Sequence, residues 1–268
     1  MLVEEYILCN THKCEYMGLL FKKNRFKEYL INTVREKYFD EKGTNEISNY
    51  AIEITGFNNE TIEKKIREIL RSHVPLENWR IGEAIAELIL ENRFNIRFYY
   101  DSTRDAKNMQ SSLPGADLVG FTEIDNDTVF AFGEVKTSSE EKYPPNVLYG
   151  RTGMIKQLEN LKLFENKRNE LVRWISFKSK LLEGKMQSDY QKALKAYLDS
   201  DKKKVKLIGV LVRDTQPNIK DLQNRAEILG ENKSDLMEIQ LIALYSNYKM
   251  ENDQWINCLQ GRRESDEK

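Results

Sequence analysis

Apolar residues recur along this chain with two different periods. A spacing of three to four residues predicts helices, while strict alternation or a short apolar run predicts strands. The predicted helices cover residues 24–37, 59–72 with Asn59 as N-cap, 78–94, 154–167, 170–198 with a break at Gly184, and 217–229. The predicted strands cover residues 2–9, 50–57, 94–101, 117–121, 128–136, 204–214 and 235–246.

The order of these elements indicates an α/β (α+β) fold with a mixed central sheet flanked by helices. From residue 78 the order is helix, three strands, helix, a helical pair, strand, helix and strand, which requires a crossover connection. We expect an N-terminal α/β extension over residues 1–75 that is available for partner binding. The main domain is expected at 76–250 with a helical insertion at about 168–200, followed by a C-terminal tail at 251–268.

Composition is that of a globular protein with a polar surface. The chain has 268 residues, of which 40% are hydrophobic and 32% charged. It contains no apolar run long enough to span a membrane and no basic start typical of a signal peptide. Three cysteines do not form a disulfide framework, which favours a reducing, cytoplasmic location. The net charge of −1 implies that contact with DNA would need a local basic patch or a partner protein.

Several common sites are disfavoured by the sequence. Cys9, His12 and Cys14 are close in sequence, but a structural zinc needs about four ligands. Neither His73 nor Cys258 has the paired spacing that would complete the set, so unligated thiols are favoured. There is no P-loop, dinucleotide-binding or nucleophile-elbow motif, which argues against nucleotide cofactors and a serine triad.

Two acids and a lysine lie at the ends of two otherwise apolar strands. Asp117 precedes the run LVGF, and Glu134 and Lys136 end the run TVFAFGEVK. Glu134 and Lys136 share one face of their strand and Val135 the other. If the two strands form a hairpin through residues 122–127, Asp117 and Glu134 become cross-strand neighbours.

Facing carboxylates repel each other unless a cation lies between them. Lys136 supplies part of that charge, and a hard divalent cation would supply more. Carboxylate oxygens from Asp117 and Glu134, the Val135 carbonyl and water molecules match the ligands of Mg²⁺ (or Mn²⁺). Lys136 would then position the attacking water and stabilise developing negative charge. The simpler alternative is an exposed Glu–Lys pair worth less than about 1 kcal/mol.

The pattern D-x16-E-x-K formed by Asp117, Glu134 and Lys136 resembles the PD-(D/E)xK nuclease superfamily, whose fold is that of restriction endonucleases. The resemblance covers roughly residues 78–246 and implies a Mg²⁺-dependent endonuclease acting on DNA. It further implies a metal-side role for Glu83 on the preceding helix and a catalytic role for Gln157 on the following one. Pro114 departs from the pattern, because it lies three residues before Asp117 rather than adjacent to it.

Each of the secondary assignments has a simpler alternative. Glu83 would otherwise be a solvated helix position or a first-turn acid that satisfies the helix dipole, and Gln157 a surface glutamine. Arg151 and Lys156 follow the Glu134 strand and are candidates for DNA phosphate contacts, or members of a plain loop beside the site. The run 202–204 of three lysines is better explained by a solvated turn than by DNA contact.

The overall size and layout also resemble nuclease effectors of bacterial anti-phage defence systems, of which the Hachiman type is one candidate. That resemblance implies a helicase or ATPase partner that licenses cutting. The competing interpretation is a non-catalytic adaptor on the same fold, favoured by the near-zero net charge. It would bind a protein partner through residues 1–75 and would not bind metal.

Overall fold

A computed structural model of the chain describes residues 3–10, 14–56, 59–70, 75–100, 115–181 and 184–261. These residues form one mixed six-stranded sheet with helices on both faces, which confirms the predicted α/β class. The strands are β1 (Val3–Asn10), β2 (Glu15–Phe21), β3 (Leu118–Ile124), β4 (Asp127–Ser138), β5 (Val205–Arg213) and β6 (Glu238–Tyr245).

The strand order places β1 and β2, from the first part of the chain, beside β6, from its last part. Across the sheet the order is β1-β2-β6-β5-β4-β3. The two outer pairs, β1–β2 and β3–β4, are antiparallel hairpins, while β2, β6, β5 and β4 run parallel to one another. The predicted boundary near residue 75 stays a prediction, and the first two strands extend the sheet that carries the Glu134 strand.

The helices form one layer on each face of the sheet. They are α1 (Lys23–Tyr29), continuing through a π-helical turn (Leu30–Val34) into α2 (Arg35–Phe39), then α3 (Glu41–Thr55), α4 (Glu60–Leu70), α5 (Asn78–Phe94), α6 (Met154–Leu163), α7 (Glu165–Leu181), α8 (Lys185–Asp199), α9 (Gln223–Gly230) and α10 (Gln254–Gln260). Helices α3 and α4, which belong to the N-terminal segment, pack against each other as a pair. None of these described helices is long and apolar enough to cross a bilayer.

Each face of the sheet has its own hydrophobic core. On one face Ile81 and Ile85 of α5 pack with α1, the π-helical turn, α2 and Trp255 of α10. On the other face α6, α7, α8 and α9 cover β3, β4 and β5, with Phe130 and Phe132 at the centre. Because both faces are covered, β5 and β6 are almost entirely apolar.

Several sequence predictions match the structure closely. The helix predicted over 78–94 has those bounds, Gly184 separates α7 from α8 with φ 76°, and the Asn59 side chain accepts a hydrogen bond from the Thr61 amide as an N-cap does. The predicted tail includes a described helix, α10, in which Trp255 is fully buried.

Two predicted strands are wrong. Residues 50–55 of the predicted strand 50–57 belong to α3, because Asp40 caps that helix and Gly56, with φ 65°, ends it. Residues 57–58 lie outside the described residues. Within residues 94–100 of the predicted strand 94–101 the structure has a single bridge between Arg97 and Phe121, since α5 runs to Phe94 and Asn95 adopts a left-handed conformation. Residue 101 lies outside the described residues.

Candidate active site

The β3–β4 hairpin brings Asp117 and Glu134 together. Its two-residue turn, Asp125 and Asn126, has φ of 51° and 69°, as a type I′ turn requires. The register pairs Leu118 with Gly133 in this antiparallel hairpin. Asp117, one residue before Leu118, therefore lies opposite Glu134, one residue after Gly133. This confirms that the two acids are cross-strand neighbours.

Hydrogen bonds then hold Asp117 and Lys136 at the start of β3. Asp117 Oδ2 accepts a hydrogen bond from the Val135 amide at 2.9 Å, where a β3 carbonyl would otherwise bond. Lys136 Nζ lies 3.3 Å from Glu134 Oε2 and 3.6 Å from Asp117 Oδ2. One ammonium group thus lies between two carboxyl groups, as the sequence suggested.

Strand alternation divides these residues between the two faces of the sheet. Val135 packs into the core formed with α5, whereas Phe132 belongs to the opposite core. Glu134 and Lys136 have the same parity as Phe132 and therefore lie on its face. The Val135 carbonyl is on the same edge of β4 as its amide, beside the start of β3.

Glu134 is almost completely buried, with 3% of its side chain exposed. Burial is the main cause that raises its pKa from 4.5 to about 9, and the charge of Asp117 raises it further, while Lys136 opposes the shift. An uncharged Glu134 is therefore the favoured state at neutral pH unless another cation enters the site.

Glu83 adds a third acid from the opposite face of the sheet. It lies on α5, and burial followed by the charges of Asp117 and Glu87 raises its pKa to about 8. Arg80 and Lys136 oppose that shift. Glu83 can interact with Asp117 because β3, the outermost described strand on this side, begins only at Leu118.

This acid cluster fits a Mg²⁺ site built from few protein ligands. Within the described residues, no group of three or more His, Cys, Asp or Glu side chains converges as a ready-made metal site. Glu83 is therefore an electrostatic neighbour of the pair rather than a member of a preformed cage. Asp117, Glu134 and the Val135 carbonyl would offer oxygens of the kind that Mg²⁺ takes from protein, and water would complete its shell.

Gln157 is on α6, which packs against the sheet beside Glu134. In the β4–β5 ladder Glu134 is paired with Gly209, and a Cβ at Gly209 would lie 2.8 Å from Leu158 and 3.1 Å from Met154. The absence of that Cβ lets α6 approach. Gln157 Oε1 is buried and has no hydrogen-bond partner in the described part of the chain.

The predicted DNA contacts and the cysteine cluster have no contact with the acid pair among the described interactions. Arg151 and Lys156 are exposed, and Lys156 pairs with Glu159 at 2.7 Å, so their role stays a prediction. Pro114 and His12 lie outside the described residues. Cys14 is a buried thiol, and burial raises its pKa to about 12, which opposes metal ligation by its thiolate.

Sequence reasoning missed two glycines that shape the site. Gly209 admits α6 next to Glu134, and Gly82 admits α5 next to Thr137. Their only sequence signal is a glycine inside a strongly apolar strand or helix, which indicates a close approach without naming the neighbour.

Comparison with known proteins places the chain in a family. A comparison with curated protein sequences gives no match. The family model described as HamA matches residues 4–251, which is nearly the whole chain and includes every predicted site residue. HamA is a family of the Hachiman anti-phage defence system, a system of several components. The chain belongs to the HamA family, and its role is in anti-phage defence.

Proposed function

We propose that this chain is a metal-dependent deoxyribonuclease and the effector subunit of its defence system. The observation that carries the proposal is the geometry of Asp117, Glu134 and Lys136, in which two carboxyl groups converge on one ammonium group and the buried Glu134 has a raised pKa. Strongly perturbed carboxyl groups of this kind cluster at functional sites. A solvated surface pair would have neither the burial nor the shared lysine.

Asp117 and Glu134 would hold the metal, together with the Val135 carbonyl. Mg²⁺ or Mn²⁺, when bound, would lower the pKa of a coordinated water and neutralise charge on a phosphate. Glu134 must lose its proton before it can act as a ligand. Asp117 keeps its position through the Val135 amide, so the cation would meet one carboxylate whose orientation is already fixed.

Lys136 would act on the phosphate and the attacking water. Once a cation satisfies the carboxylates, its ammonium group is released from them to donate toward the scissile phosphate. Gln157, whose carbonyl oxygen has no partner in the described residues, would accept a hydrogen bond from a water at the site. Glu83 would order outer water molecules. Arg151 and Lys156 would contact the DNA backbone.

The test is cleavage of supercoiled and linear DNA with Mg²⁺ or Mn²⁺ by the chain in complex with its partner protein and the partner's nucleotide. We expect Lys136→Ala to reduce cutting by about 10²-fold or more while metal uptake, followed by calorimetry, persists. Lys27→Ala, which removes an exposed lysine from α1, is the matched control. Full activity in Lys136→Ala would refute the assignment.

A protein partner of the helicase or ATPase type would license cutting. The α3–α4 pair supports a docking role for the N-terminal segment, because Ile47, Tyr50, Ile54 and Ile69 are exposed there. The expected result is that the isolated chain cuts poorly and gains activity when the partner and its nucleotide are added. Strong cutting of host-like DNA by the chain alone would argue against licensing.

The exposed α3–α4 surface also favours the second candidate, a non-catalytic adaptor. An adaptor would bind its partner and take up no metal. Calorimetry with Mn²⁺ separates the two functions, since only the nuclease predicts heat of binding that Glu134→Gln removes.

A further inference from the structure

Helix α5 crosses β4 at an unusually close contact. A Cβ built on Gly82 would lie 1.9 Å from Thr137 Oγ1, 3.1 Å from Thr137 Cβ and 3.3 Å from Thr137 Cγ2. The bare backbone of α5 therefore rests on the Thr137 side chain. Thr137 Oγ1 is buried and has no hydrogen-bond partner among the described residues, so the contact acts through shape.

Both residues of this contact are adjacent in sequence to residues of the acid cluster. Gly82 precedes Glu83 on α5, and Thr137 follows Lys136 on β4. Successive helix residues point about 100° apart, so Gly82 can face the sheet while Glu83 points toward the edge where β3 begins. The separation of α5 from β4 at Gly82 therefore sets the distance of Glu83 from Asp117.

The other side of α5 is held by the N-terminal segment. Lys37 Nζ of α2 lies 2.7 Å from Glu87 Oε2, one turn beyond Glu83. Tyr38 Oη donates to the Pro75 carbonyl at 2.5 Å and accepts from the Glu77 amide at 3.2 Å, just before α5 begins. Helix α2 thus holds α5 on the side away from the sheet. The contact of Gly82 with Thr137 then limits how closely α5 can approach β4.

We propose that Gly82 and Thr137 form a positioning pair that seats α5 on β4 and so places Glu83 against Asp117 and Lys136. The proposal rests on the proposed function and adds two residues that touch neither metal nor DNA. Relieving a 1.9 Å contact to an ordinary separation of about 3.5 Å moves α5 outward by roughly 1.5 Å. A misplacement of that size can cost about 10²-fold in rate.

The test is a cycle of Gly82→Ala, Thr137→Ala and the double variant. Gly82→Ala should lower Mn²⁺ affinity, measured by calorimetry, and kcat for DNA cleavage by at least about tenfold, with little change in KM. Adding Thr137→Ala removes the Oγ1 and Cγ2 atoms from the clash and leaves Thr137 Cβ at 3.1 Å. The double variant should therefore recover most of both losses.

Gly43→Ala is the matched control, because it also introduces a Cβ clash at a buried helical glycine but does not displace Glu83. Gly43 is also a buried helical glycine, and its Cβ would lie 2.4 Å from Asp40 Oδ2, but α3 carries no acid of the cluster. It should lower thermal stability and leave Mn²⁺ affinity unchanged. Unfolding temperatures of all variants separate lost folding from lost positioning.

Two results would overturn the positioning role alone: unchanged Mn²⁺ affinity and kcat in Gly82→Ala, or a loss that Thr137→Ala does not repair. A native chain that neither binds Mn²⁺ nor cuts DNA would overturn the proposed function and this proposal together. The two failures are thus distinguishable by the native protein.

Discussion

Replacing Glu134 with glutamine should stabilise the metal-free protein at alkaline pH. The folded chain raises the pKa of Glu134 to about 9 from an ordinary 4.5, so it binds a proton more tightly than the unfolded chain. By linkage, the free energy of unfolding then falls as pH rises from about 4.5 to about 9. Glutamine has nearly the same shape and does not ionise. The free energy of unfolding of Glu134→Gln should therefore fall less with rising pH than that of the native chain.

The size of the effect follows from the shift. One pKa unit corresponds to about 1.4 kcal/mol, so three pH units between pH 5 and pH 8 set an upper limit of about 4 kcal/mol. Relaxation of Lys136 and water entry reduce that limit, and we expect on the order of 2 kcal/mol. For a chain of this size, that corresponds to a shift in unfolding temperature of about 4–8 °C.

Thermal unfolding in EDTA at pH 5 and pH 8, repeated with Mn²⁺ or Mg²⁺, is the assay. In EDTA at pH 8, Glu134→Gln should melt above the native chain, and at pH 5 the two should be close. Metal at about 100 times its Kd should add about 2.7 kcal/mol to the native chain only. When metal is added at pH 8, the native chain should therefore become as stable as Glu134→Gln or more stable.

The control is Glu53→Gln, which replaces an exposed glutamate on α3. It should follow the native curve in every condition. The reasoning is refuted if native and Glu134→Gln proteins lose stability in parallel in EDTA, or if metal stabilises both equally.

Three further results are expected. Metal affinity measured by calorimetry should rise with pH between 6 and 9, because metal must displace the proton of Glu134, whose pKa is raised. The raised pKa of the neighbouring Glu83 adds to this dependence, since the charge of the metal favours loss of its proton. A flat profile would contradict this. Asp221→Ala should lower the free energy of unfolding by about 3–5 kcal/mol in chemical denaturation. The fully buried Arg213 donates from Nη1 to both Asp221 oxygens, at 2.7 and 2.8 Å, and would lose its counter-charge. A loss below about 1 kcal/mol would contradict this. Trp255→Ala should also cost about 3–5 kcal/mol, because the ring is fully buried against Phe26, and wild-type stability would contradict the docking of α10.

The predictable part of the site was the part that depends on local rules. Alternation along β4 placed Glu134 and Lys136 on one face, and an Asp–Asn turn set the register that brings Asp117 opposite Glu134. Both rules act over fewer than about ten residues on either side of the turn. The bounds of α5 followed from a helical pattern that is apolar nearly all around.

The missed features depend on chain segments far apart in sequence. Alternation in residues 50–57 was a weaker signal than the caps at Asp40 and Gly56, between which residues 50–55 are helical. The contact of Gly82 with Thr137 joins an interior helix position to a strand more than fifty residues later. Local periodicity carries no information about which backbone will approach a given glycine.

The position of β2 also determines when the fold can be completed during synthesis. β2 pairs with β6, and Glu15 is matched to Gln240, so the N-terminal hairpin must wait for almost the whole chain before its inner edge is covered. Closing so long a loop is slow, and an uncovered strand edge can pair with other chains. The β3–β4 hairpin, which carries Glu134, joins two strands that are adjacent in sequence and can form before β6 is synthesised. A chain that ends before residue 238 would lack β6 and would leave the inner edges of β2 and β5 uncovered. Such a chain would be a target for chaperones and proteases rather than a stable fold.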